Sequence, residues 1–324
     1  MEITFAEALN QAMLEEMERD EKVFLMGEDV ALSAISPATA GLSERFGKER
    51  VRNTPISELG FTGAAVGAAM AGYRPILDMR RIDFMMLSID QIVNQAAKLR
   101  YMLGGQVSIP LVIRAPEGGG IQNGPTHSQC LESWFLQVPG LKVVIPSGPE
   151  DAKGLLKTSI RDDNPVLFVE YRQLYSTKED VPEGDCTIPF ASARTKKEGK
   201  DITLVGLGSQ VENCISAAEE LEKNGISAEV IDPRTINPLD VDGLSASVQK
   251  TGNCVIVEEG HKQGGVGAEI LASIQSKCFS SLKAPIQRVA ALDVPIPVQT
   301  KLEKLVLPNS EKIVAAAKEV LSYS

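Results

Sequence analysis

One carboxylate, Glu58, stands within the stretch Thr54-Pro55-Ile56-Ser57-Glu58-Leu59-Gly60, where an apolar segment ends and a helical pattern begins. The predicted helix continues through Gly60-Phe61-Thr62-Gly63-Ala64-Ala65-Val66-Gly67-Ala68-Ala69-Met70-Ala71-Gly72. Each glycine inside a helix costs roughly 0.5 to 1 kcal/mol relative to alanine. Because small side chains let a helix backbone or a ligand approach closely, the pattern predicts a tightly packed interface with Glu58 at its mouth.

Short apolar runs alternate with helical patterns on both sides of this stretch. The runs lie at residues 23–26, 111–114, 141–145 and 166–169. Apolar residues recur at helical spacing from Ile89 to Leu103 and from Ala152 to Ile160. This alternation is typical of a parallel β-sheet covered by helices on both faces.

The chain divides in sequence near residues 176–200, where apolar density falls and charged residues, Pro182 and Gly184 accumulate. Beyond this segment the alternation restarts. Strands are predicted at 202–207, 228–231, 254–257 and 286–290, and helices at 211–223 and about 266–277. A length of 324 residues fits two domains. We therefore predict α/β domains at 1–185 and 201–324, joined by a linker at 186–200.

Composition excludes several classes of protein. The formal net charge of −10 argues against nucleic acid or an anionic membrane as the main partner. No apolar run reaches the ~18 residues of a membrane span. The five cysteines are scattered without a CxxC pair, as in reduced thiols. Thr4 and Glu7 are spaced as a capping box in a helix that starts at the amino terminus, so we expect a cytoplasmic protein without a signal peptide, with a removed transit peptide as the open alternative.

A nicotinamide site is rejected. Gly206-Leu207-Gly208 follows a predicted strand and opens a helix, but Val211 stands where the dinucleotide fingerprint requires its third glycine. A tight strand-to-helix turn explains the two glycines.

His127 is one of two histidines and lies in the glycine-rich loop 117–129. That loop leaves the carboxyl end of the strand at 111–114, the edge at which open α/β sheets build their sites. A histidine there could have a functional role; the alternative is a solvated or turn-stabilising residue.

Three other candidates have ordinary structural interpretations. His261 lies among charged residues and indicates a surface role or a domain contact. Glu58 could be a carboxylate favoured by the helix dipole. Phe84 would ordinarily be a core residue.

Ordered matches extend through nearly the whole chain. They are Gly27-Glu28-Asp29-Val30, Thr54-Pro55-Ile56-Ser57-Glu58, Asp90-Gln91-Ile92-Val93-Asn94, Gly104-Gly105-Gln106, His127-Ser128-Gln129, Pro139-Gly140-Leu141-Lys142-Val143-Val144 and Glu258-Glu259-Gly260-His261. With them the chain resembles the beta subunit of the decarboxylating first component of 2-oxo acid dehydrogenase complexes, of pyruvate dehydrogenase or acetoin dehydrogenase type. The resemblance implies a transketolase-like fold with a pyrimidine-binding domain and a smaller C-terminal α/β domain, and thiamine diphosphate as cofactor.

The resemblance also implies roles for four residues. Glu58 would hydrogen-bond the aminopyrimidine ring of thiamine diphosphate and exchange a proton with it. Ile56 would pack near the cofactor, and Phe84 would stack on the pyrimidine. His127 would lie beside the reacting centre, where it would stabilise oxyanion charge or pass a proton to the lipoyl group.

A missing motif implies a partner chain. Relatives hold Mg²⁺ and the diphosphate with a Gly-Asp-Gly stretch followed by an Asn, whose oxygens suit a hard cation. This sequence has no Gly-Asp-Gly, and its only Gly-Asp, Gly184-Asp185, runs into Cys186. The resemblance therefore implies that an alpha subunit holds Mg²⁺ and shares the cofactor, in an assembly of two alpha and two beta chains.

Arg80 and Arg81 depart from the family pattern, which usually has Gln or Met at the first position and a small or apolar residue at the second. Arg80 would lie beside the cofactor. Its guanidinium could orient an acidic substrate or pair with Asp78 or Asp83. We favour pairing, because a buried unpaired charge is costly.

The implied activity is oxidative decarboxylation of pyruvate, with acyl transfer to a lipoyl acyltransferase. Alternatives are an acetoin dehydrogenase beta subunit and a noncatalytic assembly or regulatory subunit; a standalone carboligase or transketolase conflicts with the missing diphosphate motif. The family also has a structural monovalent cation, for which K⁺ is the candidate here. The residues that bind this cation in the family match Leu111, Ser159, Asp162 and Asn164 in part.

Overall fold

A computed structural model describes residues 1–32 and 36–323. The strands in this part of the chain are β1 (Glu2–Thr4), β2 (Val23–Gly27), β3 (Val51–Asn53), β4 (Arg74–Asp78), β5 (Val112–Glu117), β6 (Lys142–Val144), β7 (Val166–Tyr171), β8 (Lys178–Asp180), β9 (Arg194–Lys197), β10 (Ile202–Gly206), β11 (Ala228–Asp232), β12 (Thr235–Asn237), β13 (Cys254–His261) and β14 (Gln287–Ala291). The α-helices are α1 (Phe5–Arg19), α2 (Leu42–Phe46), α3 (Glu58–Met70), α4 (Leu99–Met102), α5 (Ser133–Leu136), α6 (Pro149–Arg161), α7 (Gln210–Lys223), α8 (Val241–Thr251), α9 (Val266–Cys278), α10 (Thr300–Val306) and α11 (Ser310–Leu321).

The chain forms two compact units. The first contains Met1–Glu117 and Trp134–Pro189, and the second contains Gly118–Ser133 and the chain from Phe190 onward. The glycine-rich loop therefore belongs to the second unit, although strands of the first unit flank it in sequence. The domain limits 1–185 and 201–324 stay a prediction.

The first unit is built on a parallel sheet whose strands lie in the order β6-β7-β5-β4-β2-β3. Every residue of β5 and β7 is buried, as expected for central strands of a parallel sheet. Helix α1 packs against α6. The predicted capping box is present, because Thr4 Oγ1 accepts from Glu7 N at 3.2 Å and Thr4 N donates to Glu7 Oε2 at 2.7 Å.

The predicted helix between Ile89 and Leu103 is interrupted. A 3₁₀ segment covers Ile82–Ser88, a π-helix covers Gln91–Ala96 and only α4 follows as α-helix. At the π-helix end, Gly140 approaches the carbonyl of Ala97 so closely that a Cβ would not fit. This approach by a distant part of the chain accounts for a break that helical periodicity does not show.

The second unit has a five-stranded sheet in the order β14-β13-β10-β11-β9, parallel except for β9. Its core joins apolar residues of β10, β11 and β13 to helices α7 and α11. A Cβ on Gly206 would lie 2.9 Å from Val211 Cα, which explains a glycine in this strand-to-helix turn. Strand β13 runs four residues further than predicted, to His261. No helix in residues 1–32 and 36–323 has the length and apolar character needed to cross a bilayer.

Candidate functional site

Glu58 is the first residue of α3, directly after β3 at the carboxyl edge of the first unit's sheet. Its residue is only 7% exposed, and within the described ranges its carboxylate has no hydrogen-bond partner. Glu28 lies nearby, and its buried Oε1 also lacks a partner there. Burial, and then the negative charge of Glu58, raises the pKa of Glu28. This pair of carboxyl groups is suited to a hydrogen-bond donor from outside the chain.

The small residues of α3 meet close neighbours at two positions. A Cβ on Gly63 would lie 3.3 Å from Gln91 Oε1, and one on Gly60 would lie 2.8 Å from Ser57 Oγ. Gly67 faces open space, and Leu59 and Met70 are exposed on the same helix. Within the unit, the small residues therefore allow close contacts near Glu58.

The other residues expected around the cofactor lie at the same edge of the sheet. Phe84 is half-buried in the 3₁₀ segment that follows β4, and its N–H donates to Arg81 O at 3.2 Å. Ile56 is 82% exposed, two residues before α3. Both positions leave side-chain surface available to a ligand at this edge.

Arg114 of β5 organises the strand ends. It is fully buried, donating through Nε and Nη2 to Glu170 at 2.6 and 2.9 Å and through Nη1 to Asp78 at 3.0 Å. Burial alone would lower the pKa of Arg114, but the charges of Glu170 and Asp78 outweigh it and raise that pKa. Sequence reasoning missed this network; the signal was a charged residue inside an apolar strand.

The expected pairing of Arg80 with Asp78 or Asp83 is not found. Asp78 Oδ1 accepts from the backbone N–H of Arg80 at 2.9 Å, and Oδ2 accepts from Arg114. In the described part of the chain the Arg80 guanidinium forms no ion pair. The reason is competition, since Arg114 comes from a neighbouring strand and occupies the carboxylate that Arg80 was expected to use.

His127 lies in the second unit, where two carboxylates hold its loop. Gly119 N donates to Glu259 Oε1 and Gly120 N donates to Glu303 Oε1, each at 2.7 Å. His127 Nδ1 lies 2.9 Å from Thr126 Oγ1. Burial raises the pKa of Glu259 although hydrogen bonds, including the one from Gly119, oppose that shift.

Sequence reasoning singled out neither carboxylate for this anchoring role, because the loop and its anchors are far apart in the chain. His261 ends β13, and its Nδ1 lies 2.9 Å from Leu292 O in the same unit.

The positions matched to a monovalent cation lie around Asp162. Its Oδ1 accepts from the backbone N–H and the side-chain amide of Asn164 at 2.8 and 3.0 Å, and its other oxygen accepts from Lys142. Ser159 Oγ donates to Leu155 O at 2.7 Å, and Leu111 O accepts from Val166 N at 2.9 Å. With the carboxylate engaged by protein groups, a cation here would rely on backbone carbonyls.

Family models match both parts of the chain. Residues 1–178 match the transketolase pyrimidine-binding domain, and residues 191–313 match the transketolase C-terminal domain. The chain is 49% identical to a pyruvate dehydrogenase E1 component subunit beta of Rickettsia felis, covering all of both chains.

The chain belongs to the family of 2-oxo acid dehydrogenase E1 beta subunits.

Other members are similarly close. The mitochondrial pyruvate dehydrogenase E1 beta subunit of Dictyostelium discoideum is 47% identical over 98% of this chain and 91% of that one. A 2-oxoisovalerate dehydrogenase subunit beta of Bacillus subtilis is 45% identical over 99% of each. Among solved structures, a split-gene transketolase described as an inactive beta4 tetramer superposes with a TM-score of 0.81, at 26% identity and 99% coverage of each chain. The resemblance and the transketolase-like fold class are confirmed.

This E1 beta family depends on thiamine diphosphate, and the first unit offers groups that fit part of it. The buried carboxylate of Glu58 can accept a hydrogen bond from an aminopyrimidine. Phe84 presents an aromatic ring, and Ile56 an apolar side chain, at the same sheet edge. A beta subunit of an E1 component also implies a complex with an alpha subunit.

Proposed function

We propose that this chain is the beta subunit of a thiamine diphosphate-dependent 2-oxo acid dehydrogenase. The reaction is oxidative decarboxylation of a 2-oxo acid with acyl transfer to a lipoyl acyltransferase, and pyruvate is the first substrate to test. The observation that carries the proposal is the buried Glu58 carboxylate, to which residues 1–32 and 36–323 offer no donor, at the carboxyl edge of a parallel sheet. The pyruvate dehydrogenase beta subunits among the relatives support the same reaction.

Residues of the first unit would hold the aminopyrimidine end of the cofactor. Thiamine diphosphate would supply, when bound, a carbanion as the nucleophile for the 2-oxo carbon and a thiazolium ring as the acceptor of the electron pair left by carbon dioxide. Glu58 would hydrogen-bond a ring nitrogen and exchange a proton with it. Phe84 would stack on the ring and Ile56 would exclude water from one side. Arg80 would lie at the rim of this site.

The alpha subunit would supply the rest of the site. The chain lacks the Gly-Asp-Gly stretch, so Mg²⁺ and the diphosphate would be held by the alpha subunit in an assembly of two alpha and two beta chains. His127 would stabilise oxyanion charge or move a proton during transfer to the lipoyl group. The carboxylate anchors support this role, since they fix Gly119 and Gly120 in the loop that carries His127.

Two further assignments belong to the proposal. The pyrimidine-binding domain would span residues 1–185 and the C-terminal domain 201–324, with 186–200 as linker. A K⁺ ion would bind backbone carbonyls near Leu111, Ser159, Asp162 and Asn164. Atomic absorption on the purified full chain in potassium buffer would test the ion, and a stoichiometric potassium content retained after gel filtration is the expected result.

Glu58→Gln tests the function. In the complex reconstituted with an alpha-type partner, the variant should lower turnover at least ~100-fold, because the amide cannot exchange the proton. Gel filtration should show unchanged assembly. Glu49→Gln is the matched control, since Glu49 has a 94% exposed side chain in the same unit. Wild-type turnover by Glu58→Gln would remove Glu58 from the mechanism, and cofactor binding by the isolated beta chain would contradict the shared site.

A further inference from the structure

Three arginines lie beyond the carboxyl edge of the first unit's sheet. Arg80 and Arg81 follow β4, and Arg172 follows β7 directly. Strand β5 lies between β4 and β7, and its Arg114 is paired with Asp78 of β4 and with Phe168 of β7. Phe168 is four residues before Arg172. The two strands are separated by two strand spacings, about 10 Å. Side chains as long as arginine can therefore converge on one ligand between these strand ends.

Two carboxylates at this edge, one on β4 and one on β7, bind Arg114. Asp78 accepts from Arg114 and from the Arg80 backbone. Glu170 accepts from Arg114 through both oxygens, and the Tyr175 hydroxyl donates to its Oε2 at 2.6 Å. These two acids therefore neutralise Arg114.

Groups of both charge signs lie close to the outer arginines. Asp83 attracts Arg81, and the charge of Arg80 acts on Glu28. Burial, followed by the neighbouring charge of Arg172, lowers the pKa of Arg81. Neither Arg80 nor Arg172 has an ion pair or a side-chain hydrogen bond within residues 1–32 and 36–323. The guanidinium groups of these two half-buried arginines thus retain donors for an anion.

The backbone at Arg80 is fixed in an uncommon conformation. Its φ is +58°, in the left-handed region that a side-chain-bearing residue seldom adopts. Asp78 holds the N–H of Arg80 in this turn. Strained positions of this kind cluster at ligand-binding sites, because the surrounding structure fixes the direction of the side chain.

We propose that Arg80 and Arg172 bind a second anionic group on the substrate. The inference rests on the proposed decarboxylation and refines its substrate class: a 2-oxo acid with a carboxylate or phosphonate at the end remote from the oxo group. Planar guanidinium forks match the oxygens of both groups. The second anion takes no part in bond making or breaking. Arg80 is thereby a specificity residue, and pyruvate, which lacks this group, is the weaker substrate.

Substrates of matched length separate the anion from the carbon chain. The reconstituted complex is assayed with 2-oxoglutarate, 2-oxo-4-phosphonobutyrate and 2-oxopentanoate. We expect the wild type to have the higher kcat/KM for at least one dianionic substrate, and the better of the two identifies the anion. Arg80→Met should reduce the preference for that dianion by about 10- to 100-fold, mainly through KM. Arg80→Lys should fall between them, because it keeps the charge and loses the fork.

Arg45→Met is the control for loss of a positive charge. Arg45 is a largely exposed arginine of the same unit, paired with Glu18 at 2.8 Å, and its removal should leave the dianion preference unchanged. Equal preference in the wild type and Arg80→Met, or a wild-type preference for 2-oxopentanoate over both dianions, overturns the inference.

A binding measurement separates this inference from the proposed function. Calorimetric titration of the purified full chain with glutarate and with inorganic phosphate, at constant ionic strength, should show binding of at least one anion. Arg80→Met and Arg172→Gln should each weaken it at least ~10-fold, and Arg45→Met should not. If anion binding by the chain depends on the arginines but the reconstituted complex decarboxylates no 2-oxo acid, the proposed function is wrong and the anion site remains. If the complex decarboxylates a 2-oxo acid but neither anion binding nor the preference for dianionic substrates depends on the arginines, only the anion site is wrong.

Discussion

The two units use the same turn at the end of a parallel strand. In the first, β4 ends in Asp78-Met79-Arg80; in the second, β11 ends in Asp232-Pro233-Arg234. The Asp Oδ1 accepts from the N–H of the Arg at 2.9 Å in one turn and 2.8 Å in the other. Both arginines have a left-handed backbone, with φ of +58° and +59°. The short aspartate side chain stabilises this uncommon conformation by closing a local ring.

The turns differ in what the arginine side chain does. Arg234 donates from Nε to Ser192 O at 2.7 Å and from Nη2 to Ser192 Oγ at 3.2 Å. Arg80 has no such partner in the described part of the first unit, and Arg114 occupies the second oxygen of Asp78. The same Asp-X-Arg turn thus positions an arginine for a structural contact in the second unit and places a guanidinium group at the candidate site in the first.

Removing the buried arginine should break the first-unit turn most severely. Arg114→Met would leave Asp78 and Glu170 buried without their counterion, and should lower the free energy of unfolding by about 3 to 5 kcal/mol. Urea denaturation followed by fluorescence of the single tryptophan, Trp134 of the first unit, would measure it. Arg45→Met should change the free energy of unfolding by less than about 1 kcal/mol, because exposed pairs contribute little. If Arg114→Met lowered the free energy of unfolding as little as Arg45→Met does, the ion pairs of Arg114 would not stabilise this edge of the sheet.

Periodicity was enough to predict most elements of both sheets. Apolar runs predicted β2, β5, β6 and β7 to within a few residues, and they predicted most strands of the second unit equally well. Buried parallel strands consist of consecutive apolar residues, which the sequence shows directly. The break before α4 was missed because it depends on Gly140 contacting Ala97 from a distant segment.

The candidate site was less accessible to sequence reasoning. Glu58 was singled out by its place before a helix of small residues, and the family resemblance supplied its expected role. The partner of Asp78 could not be predicted, because Arg114 and the Arg80 backbone compete for its oxygens only after β4 and β5 pair. Charge placement at strand ends depends on the register between strands, which one sequence does not specify.

A pair of glycine substitutions would sharpen the comparison between the turns. Glycine adopts φ near +58° without strain, so Arg80→Gly removes strain and adds unfolded-state entropy; the two effects nearly cancel, to within about 1 kcal/mol. Arg234→Gly also loses two hydrogen bonds to Ser192 and should be less stable than Arg80→Gly by about 1 to 3 kcal/mol. Urea denaturation followed by circular dichroism compares them. Equal losses would mean that the Arg80 side chain is as firmly bound as that of Arg234.

The smallest expected effect tests whether the first-unit carboxyl groups interact as the structure indicates. Burial first, and the charge of Glu58 second, raises the pKa of Glu28. A carboxyl group with a raised folded-state pKa stabilises the fold fully below its unfolded pKa, and this contribution is lost as pH rises through the folded pKa.

Glu58→Gln removes the second cause and leaves burial, so the stability lost through Glu28 as pH rises above about 4 should be smaller in the variant than in the wild type. The free energy of unfolding of the variant, relative to wild type, should therefore rise with pH by a few tenths of a kcal/mol, because solvent screens the partly exposed Glu28. Denaturation curves followed by Trp134 fluorescence at several pH values measure this difference. A difference that falls with rising pH would show that the two carboxyl groups do not repel each other, and the argument for an outside donor at Glu58 would lose its electrostatic support.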